Sequence, residues 1–197
     1  MSAFLQRTVK EISMLVVLVA AAAAAGCGSS PPTRFFALDQ VAPRERVQPR
    51  DTAPFKVTAV HIPALLDRES MVRGEHQHQL EISSQERWGG DLGEMARRVL
   101  TQDLQARLPA GTVIAADSPA PQNARGLVVD ILNFEPDDSG EVALDADWAL
   151  VEGSPAHSVL TRSVHLHRAG ADSAASQAGT MSQLLGQLAD DIAAENP

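Results

Sequence analysis

The sequence contains one cysteine, no tyrosine and only 4% aromatic residues among its 197 residues. Because Cys27 is the sole cysteine, the chain cannot form an intramolecular disulfide or a zinc site that needs several cysteines. So few aromatic rings argue against a carbohydrate site that depends on ring stacking. The formal net charge is -9 without a cluster of lysine or arginine, which argues against nucleic acid as a partner, because phosphate binding needs concentrated positive charge.

The motifs of the common catalytic and phosphate-binding sites are missing as well. The sequence has no G-x-S-x-G, no H-E-x-x-H and no glycine-rich phosphate loop. The segment DDSGE, Asp137–Glu141, lacks the alternating ligands of a calcium loop and predicts a turn. We therefore expect a protein that is not an enzyme and carries no cofactor.

The first 26 residues have the organisation of a signal peptide. Positive charges at Arg7 and Lys10 precede an apolar run, Met14–Ala24, which is too short to span a membrane comfortably. Small residues after this run lead directly to Cys27, and the sequence AAGC resembles a bacterial lipobox. In that motif the cysteine thiol receives a diacylglycerol, and cleavage then makes the cysteine the first residue of the mature protein.

Two details bear on this lipobox. Ala24 stands where the motif favours leucine, and the alternative interpretation is an ordinary secretory signal followed by an unrelated cysteine. Gly28, and not aspartate, follows Cys27. By resemblance to enterobacterial sorting, in which aspartate at this position favours retention in the inner membrane, this glycine indicates the outer membrane. The sequence thus predicts a lipid anchor on Cys27.

Proline spacing divides the remainder into a tether and a domain. Residues 27–54 comprise the predicted lipidated cysteine and a proline-rich tether, because prolines at this density favour an extended, solvated chain. Within it, RFFAL, Arg34–Leu38, is predicted to form a short strand or to dock on the domain, since paired aromatic residues in this chain favour burial. Residues 55–195 are predicted to form one domain.

Hydrophobic periodicity predicts the order of elements in this domain. Strands are expected over residues 55–63, 78–84, 112–116, 125–136, 141–153 and 158–168, and helices over 91–108 and 173–194. This order predicts an α+β fold, a mainly antiparallel sheet with two amphipathic helices packed on one face. In the strand 141–153, large apolar residues alternate with acidic and small ones, so one face of the sheet is expected in the core and the other in water.

The helix over residues 91–108 carries the clearest amphipathic pattern. Asp91 is its predicted N-cap, Glu94 lies three residues further on as in a capping box, and Pro109 ends it. Its apolar stripe comprises Leu92, Met95, Ala96, Val99, Leu100, Leu104 and Leu108. Its predicted polar face comprises Glu94, Arg97, Arg98, Gln102, Asp103 and Arg107.

Two pairs of histidines are the candidates for a metal site. His76 with His78, and His165 with His167, lie two residues apart, so each pair would point to one side of a strand. Neither pair has a carboxylate at a recognisable ligand spacing, and we therefore predict no metal. The aspartates expected on a solvated sheet face are Asp130, Asp145 and Asp147.

Four residues at the joints between elements combine charge with one large ring. Trp88, just before the helix, is predicted to be an apolar plug beneath its first turn. Arg68, Arg73 and Arg87 are predicted to pair with nearby acids. Those acids are Asp67, Glu69 and Glu86.

These joints carry a resemblance to a known family. IPALLDRESMVRG followed by ERWGGDLGEMARRVLTQDLQARLP resembles the auxiliary lipoproteins of MCE-type ABC lipid transporters, the group that includes the PqiC-like proteins. That family has a leucine-aspartate-arginine turn, a short strand of a hydrophobic residue and arginine, and an arginine-tryptophan pair that opens a helix. Here Glu69 replaces the usual proline, and Gly89 and Gly90 replace a more helix-favouring start. The matching residues are Leu66, Asp67, Arg68, Val72, Arg73, Arg87, Trp88, Arg98, Val99 and Leu100.

The resemblance implies a periplasm-facing lipoprotein, held in the outer membrane by its lipid, that is a non-catalytic accessory of an MCE-type ABC lipid transport system. It implies docking to the MCE-domain protein that extends from an inner-membrane ABC permease, and it allows a homo-oligomeric ring. The alternative is a structural envelope lipoprotein that binds peptidoglycan or helps assemble an outer-membrane complex, with no transport role. The residues for which partner docking or a structural role is implied are Asp67, Arg68, Arg73, Arg87 and Trp88, together with lipidation of Cys27.

Overall fold

The computed structural model of the chain describes residues 31–47, 53–76 and 79–195. Contacts divide the chain after Pro32, and the described strands and helices all belong to the unit that begins at Thr33. The predicted signal peptide, Cys27 and His78 lie outside the described residues, and so does the side chain of His76. Neither helix within these ranges is long and apolar enough to cross a bilayer.

Seven strands and two helices follow one another within the described ranges. The strands are β1 (Arg34–Phe36), β2 (Phe55–His61), β3 (Ser70–His76), β4 (Gln79–Trp88), β5 (Arg125–Asn133), β6 (Glu141–Glu152) and β7 (His157–Ala169). The helices are α1 (Leu92–Arg107), between β4 and β5, and α2 (Ala174–Glu195), after β7. The predicted α+β class is confirmed.

The strands form two sheets. Sheet A has the order β1-β4-β3, and sheet B has the order β2-β5-β6-β7. β1 pairs with β4 and β2 pairs with β5 in parallel, while the remaining neighbours are antiparallel. The mainly antiparallel character is therefore confirmed, but the strands are divided between two sheets where the sequence suggested one.

The core lies between sheet B and the two helices. α1 packs on β2, α2 packs on β6 and β7, and the helices contact each other. On β6 the predicted alternation is confirmed, because every second side chain is buried and those between are partly exposed. The buried set on this strand is Val142, Leu144, Ala146, Trp148 and Leu150.

The ends of both helices follow from local chemistry. Asp91 caps α1, since its carboxylate accepts from the Glu94 N–H at 2.7 Å. The Glu94 carboxylate binds Arg97, so only this half of the predicted capping box forms. The residue before Pro109 is extended, as the proline ring requires, and α1 ends there. At the start of α2, Ser173 and Ser176 cap each other's backbone N–H groups, with N to Oγ distances of 2.8 and 3.1 Å.

Two predicted strand assignments change. Residues 112–116 make only an isolated bridge from Val113 to Phe55, because the chain turns again within three residues. β3 was indicated only by the family resemblance. The sequence of β3 does not show a regular apolar alternation, because the pairing of β3 with β4 shifts register on both sides of Val72. Gly74 in this strand adopts φ 152°, a backbone conformation that favours glycine.

Part of the segment predicted as a tether lies within the compact unit. β1 is a strand of sheet A, and Leu38 is buried in the core. Phe36 packs against this core, whereas Phe35 stays 66% exposed, so only one of the paired rings is sheltered. Beyond β1, residues 39–47 cross the two helices, and the backbone N–H of Val41 donates to Asp103 at 2.8 Å.

Asp103 and Arg107 do not lie on a solvated helix face as the spacing predicted. They are 0% and 1% exposed, because α2 and residues 39–47 cover that side of α1. Arg107 donates to the Asp190 carboxylate at 2.5 Å, to the carbonyl of Gly186 at 2.9 Å and to that of Val41 at 3.2 Å. One guanidinium therefore joins α1, α2 and the N-terminal segment.

Asp103 is a buried carboxyl with an incomplete set of partners. Its Oδ1 accepts from Val41 and lies 3.5 Å from Arg107 Nη1, while Oδ2 has no hydrogen-bond partner in the part of the chain that the structure describes. Burial raises the pKa of Asp103 to about 6, against the opposing effects of the Val41 N–H and Arg107. Between its ordinary and its raised pKa the folded protein holds a proton that the unfolded chain has released. Stability from this group is therefore present at low pH and lost as the pH rises through about 6.

We predict that Asp103→Asn removes this pH dependence. From about pH 4 to above pH 6, the unfolding free energy of the wild-type protein should fall relative to that of the variant by about 2–3 kcal/mol, because one pKa unit corresponds to about 1.4 kcal/mol. Urea unfolding at a series of pH values measures this difference and cancels the groups that the two proteins share. A difference that stays constant across the range would contradict the prediction.

Candidate functional site

A cleft of about 620 Å³ opens where sheet A meets the start of α1. Its walls come from β1, from the loop before β3, and from the end of β4 with the two glycines that follow it. Four of the five residues predicted for docking or structure line it, although twenty positions separate the ends of this group in sequence. The lining residues are Phe35, Asp67, Arg68, Glu69, Arg87, Trp88, Gly89, Gly90, Asp91 and Leu92.

The loop that carries Asp67 and Arg68 is held in a compact turn by its own backbone. The N–H groups of Leu66 and Asp67 both donate to the carbonyl of Pro63, at 2.8 and 3.2 Å. Leu66 is buried, and the Arg68 Nε donates back to the carbonyl of Leu65 at 2.8 Å. The leucine-aspartate-arginine sequence thus buries its first residue and presents the other two at the surface of the cleft.

Trp88 is the buried anchor of the cleft. It is 4% exposed and belongs to the core, so the predicted burial of its ring is confirmed. Its backbone N–H donates to the carbonyl of Glu69 at 2.7 Å, and the next N–H, from Gly89, donates to Phe36 at 2.7 Å. The backbone hydrogen bonds of Trp88 and Gly89 thus join β1, the end of β4 and the loop before β3.

Arg87 supplies the exposed charge beside this anchor. Its Nη1 donates to the Glu69 carboxylate at 2.9 Å, with the two side chains 40% and 77% exposed. A pair this exposed contributes little to stability. The Arg87 Nε is buried without a hydrogen-bond partner in the described part of the chain, so the guanidinium retains donor capacity inside the cleft wall.

Arg73 lies away from the cleft. It donates to the Gln177 side chain at 3.0 Å and to the carbonyl of Ala171 at 3.3 Å, both near the start of α2. Gln177 also donates to the carbonyl of Val72 at 2.8 Å. Arg73 is thus part of the link between β3 and α2, and its distance from the other four residues follows from the register shifts of β3.

A second cleft of about 380 Å³ lies on the other side of Asp67 and Asp91, which line both. Its polar wall is Arg97, which donates to Glu94 and to Asp117, at 2.9 and 3.1 Å. The hydrogen bond from Arg97 is the main reason why the pKa of Glu94 is lowered, with a smaller contribution from the charge of Arg97. These bonds connect Asp117, in the loop after α1, to the N-terminal part of α1.

The outer face of sheet B carries polar pairs where the sequence predicted a solvated acidic face. Each of the three predicted aspartates has a partner on a neighbouring strand. Among the described residues, no group of three or more His, Cys, Asp or Glu side chains is arranged to hold a metal ion. The contacts on this face are His61–Asp130 at 2.6 Å, His165–Asp145 at 2.8 Å, His167–Glu141 at 3.8 Å and Ser163–Asp147 at 2.5 Å.

Sequence reasoning missed one residue of the cleft that matters for its chemistry. Phe35 was predicted with Phe36 as a buried pair, and it is instead an exposed ring at the rim. Strand alternation was the available signal, because neighbours on a strand point to opposite sides. With this ring, Arg68 and Arg87, the cleft is suited to packing and hydrogen bonding with a partner.

The model of a family described as "ABC-type transport auxiliary lipoprotein component" matches residues 36–193. These residues include every element from β2 to β7 and nearly all of α2. No match is found among curated protein sequences.

Two solved structures are similar in fold. One, described as an uncharacterized protein, is 20% identical, with a TM-score of 0.68, and the match covers 85% of this chain and 100% of that chain. The other, a Xanthomonas campestris protein of family DUF330, is 17% identical, with a TM-score of 0.58, and the match covers 81% and 92%. At these identities the likeness extends to the fold alone.

We predict that substitutions of two adjacent residues of the cleft, Trp88 and Arg87, change the stability of the protein to different degrees. Trp88→Ala should lower the unfolding free energy by about 3–5 kcal/mol, because it leaves a cavity in the core. Arg87→Ala should lower it by less than about 1 kcal/mol, because its ion pair is exposed. Urea unfolding followed by far-ultraviolet circular dichroism measures both, and equal losses in the two variants would contradict the assignment.

Proposed function

The chain belongs to the family of ABC-type transport auxiliary lipoprotein components, and on this premise we propose that it docks an MCE-domain protein at the outer membrane. In this proposal the protein is a non-catalytic accessory subunit without a cofactor, and the transported cargo is a lipid or another apolar molecule. The lipid on Cys27 holds it in the outer membrane, and the domain faces the periplasm. A homo-oligomeric ring is compatible with this role.

The observation that carries the proposal is the convergence of the family motif on one cleft. Asp67 and Arg68 come from the loop before β3, and Arg87 and Trp88 come from the end of β4. Trp88 and the backbone around it contribute to the core, whereas Arg68 and Arg87 reach the surface and add little to stability. Exposed arginines beside a buried tryptophan are the side chains that protein interfaces favour.

The docking surface that we assign is therefore this cleft, without Arg73. Arg73 is engaged by Gln177 and Ala171, so it supports the position of β3. Arg68 donates to the loop through Nε, which fixes its orientation at the cleft. Docking would then depend on the guanidinium groups of Arg68 and Arg87.

We predict that Cys27→Ala, expressed behind a secretory signal peptide whose cleavage does not need a lipidated cysteine, releases the folded protein from the membrane. A lipidated cysteine carries several acyl chains, which anchor stably where one chain would not. Fractionation of cells that express the variant should therefore recover it in the soluble periplasmic fraction with the circular dichroism spectrum of a folded protein. Retention of this variant in the membrane fraction would contradict the lipid anchor.

We predict that crosslinking of the tagged, full-length protein in cell envelopes captures an MCE-domain protein. Arg68→Ala combined with Arg87→Ala should reduce this recovery several-fold, because it removes the two exposed guanidinium groups of the cleft. Arg162→Ala is the matched control, since this arginine is 48% exposed and also pairs with a glutamate, Glu195, but lies on β7.

Two outcomes of this experiment would contradict the proposal. Capture of peptidoglycan enzymes or outer-membrane barrels without any MCE component would favour a structural envelope lipoprotein. Equal recovery of the MCE-domain protein with the cleft variant and with the Arg162→Ala control would show that docking does not depend on the cleft arginines.

A further inference from the structure

The stretch of chain between Cys27 and the domain is short. β1 begins at Arg34 and is hydrogen-bonded in sheet A, so six residues, 28–33, separate it from the cysteine. Seven steps of extended chain span at most about 25 Å. The domain of 165 residues, from 33 to 197, is expected to be roughly 40 Å across from its radius of gyration.

The connection cannot lengthen easily by releasing β1. The carbonyl of Phe36 accepts from the Gly89 N–H at 2.7 Å, and the Arg34 guanidinium pairs with the Glu86 carboxylate. Beyond the strand, the Asp39 N–H donates to Ser182 Oγ at 3.0 Å. Freeing β1 would break the first two of these contacts, and freeing the chain further would also break the third and expose the buried Leu38.

A connection shorter than the domain restricts how the domain can face a membrane. If β1 lay on the far side, the chain would have to run around a body wider than its own reach. The end of the domain that carries β1 must therefore lie on the side toward the bilayer in which the acyl chains of Cys27 are inserted, within about 25 Å of it.

The side chains at this end suit a lipid surface. Phe35 is 66% exposed, which is the largest exposed fraction among the big apolar side chains of the described residues. Arg34 precedes Phe35 and is 65% exposed. Arg87 is the register partner of Phe35 on β4. An exposed aromatic ring at the edge of a sheet can enter the interfacial region of a bilayer while the polar groups around it stay among the headgroups.

We propose that the β1 edge of sheet A lies on the lipid surface that holds the Cys27 acyl chains, with Phe35 inserted into its interfacial region. This inference rests on the lipidation of Cys27 in the proposed function. The cleft formed by Arg68, Arg87 and Trp88 then opens beside the bilayer, because Phe35 forms its rim. A partner that docks in the cleft is thereby brought to the membrane.

The test uses the lipidated protein with one added cysteine. Phe35→Cys is labelled with an environment-sensitive fluorophore, since the sulfur of Cys27 is acylated and does not react. The protein is reconstituted into vesicles of phosphatidylethanolamine and phosphatidylglycerol that contain a lipid with a nitroxide near its headgroup. Leu132→Cys is the matched control, because this residue is 60% exposed on the face of sheet B that points away from the helices.

We expect the label at position 35 to shift its emission to the blue and to be quenched by the nitroxide lipid several-fold more than the label at position 132. Equal quenching at the two positions, or none at 35 in vesicle-bound protein, would overturn the proposal. Thr33→Cys, which is exposed and precedes the strand, gives a second label that leaves β1 intact. It should be quenched like the label at 35, and its failure to be quenched would also overturn the proposal.

Failure of the anchor is distinguishable from failure of the lipid contact. Without lipidation the protein would not float with the vesicles, whereas an anchored domain that does not touch lipid would float with an unquenched label at 35. Crosslinking to an MCE-domain protein is independent of both readouts.

Discussion

The arrangement of this domain depends on the hydrogen bonds made by the buried guanidinium of Arg107. It lies near the end of α1 and binds Asp190 on α2 and the carbonyl of Val41 on the segment that follows β1. A guanidinium buried to this degree needs its donors satisfied, because an unpaired buried charge costs several kcal/mol. The two segments that supply these acceptors, α2 and residues 39–47, must therefore come together around the end of α1, and burial beside Arg107 raises the pKa of Asp103.

Helix α1 connects the hydrogen bonds of Arg107 at its end to the cleft at its start. The end with Arg107 fixes the helix against α2 and the N-terminal segment, and the start, capped by Asp91, forms one wall of the cleft. The same N-terminal segment continues back into β1, which supplies the cleft rim at Phe35 and leads toward Cys27. The proposed docking surface and the proposed orientation of the domain toward the membrane thus both depend on one packed segment.

The residues of the candidate site were predictable to different degrees. Trp88 could be assigned to the core, since a large ring directly before an amphipathic helix has an apolar surface beside it. Arg68 and Arg87 could be assigned to the surface as exposed charges near acids. Arg73 could not be separated from them, because only the bulged pairing of β3 with β4 turns its side chain toward α2.

The sequence by itself determined the α+β class, the two helices with the Asp91 cap of the first, and the alternation of β6, because these depend on periodicity and on neighbours within a few residues. Tertiary structure alone decided that Asp103 and Arg107 are buried, that the strands divide into two sheets, and which ring of the Phe35–Phe36 pair is left at the surface. In each of these cases the deciding partner lies far away in the chain. A local pattern shows which face of an element is polar, but only packing shows whether that face meets water or another part of the protein.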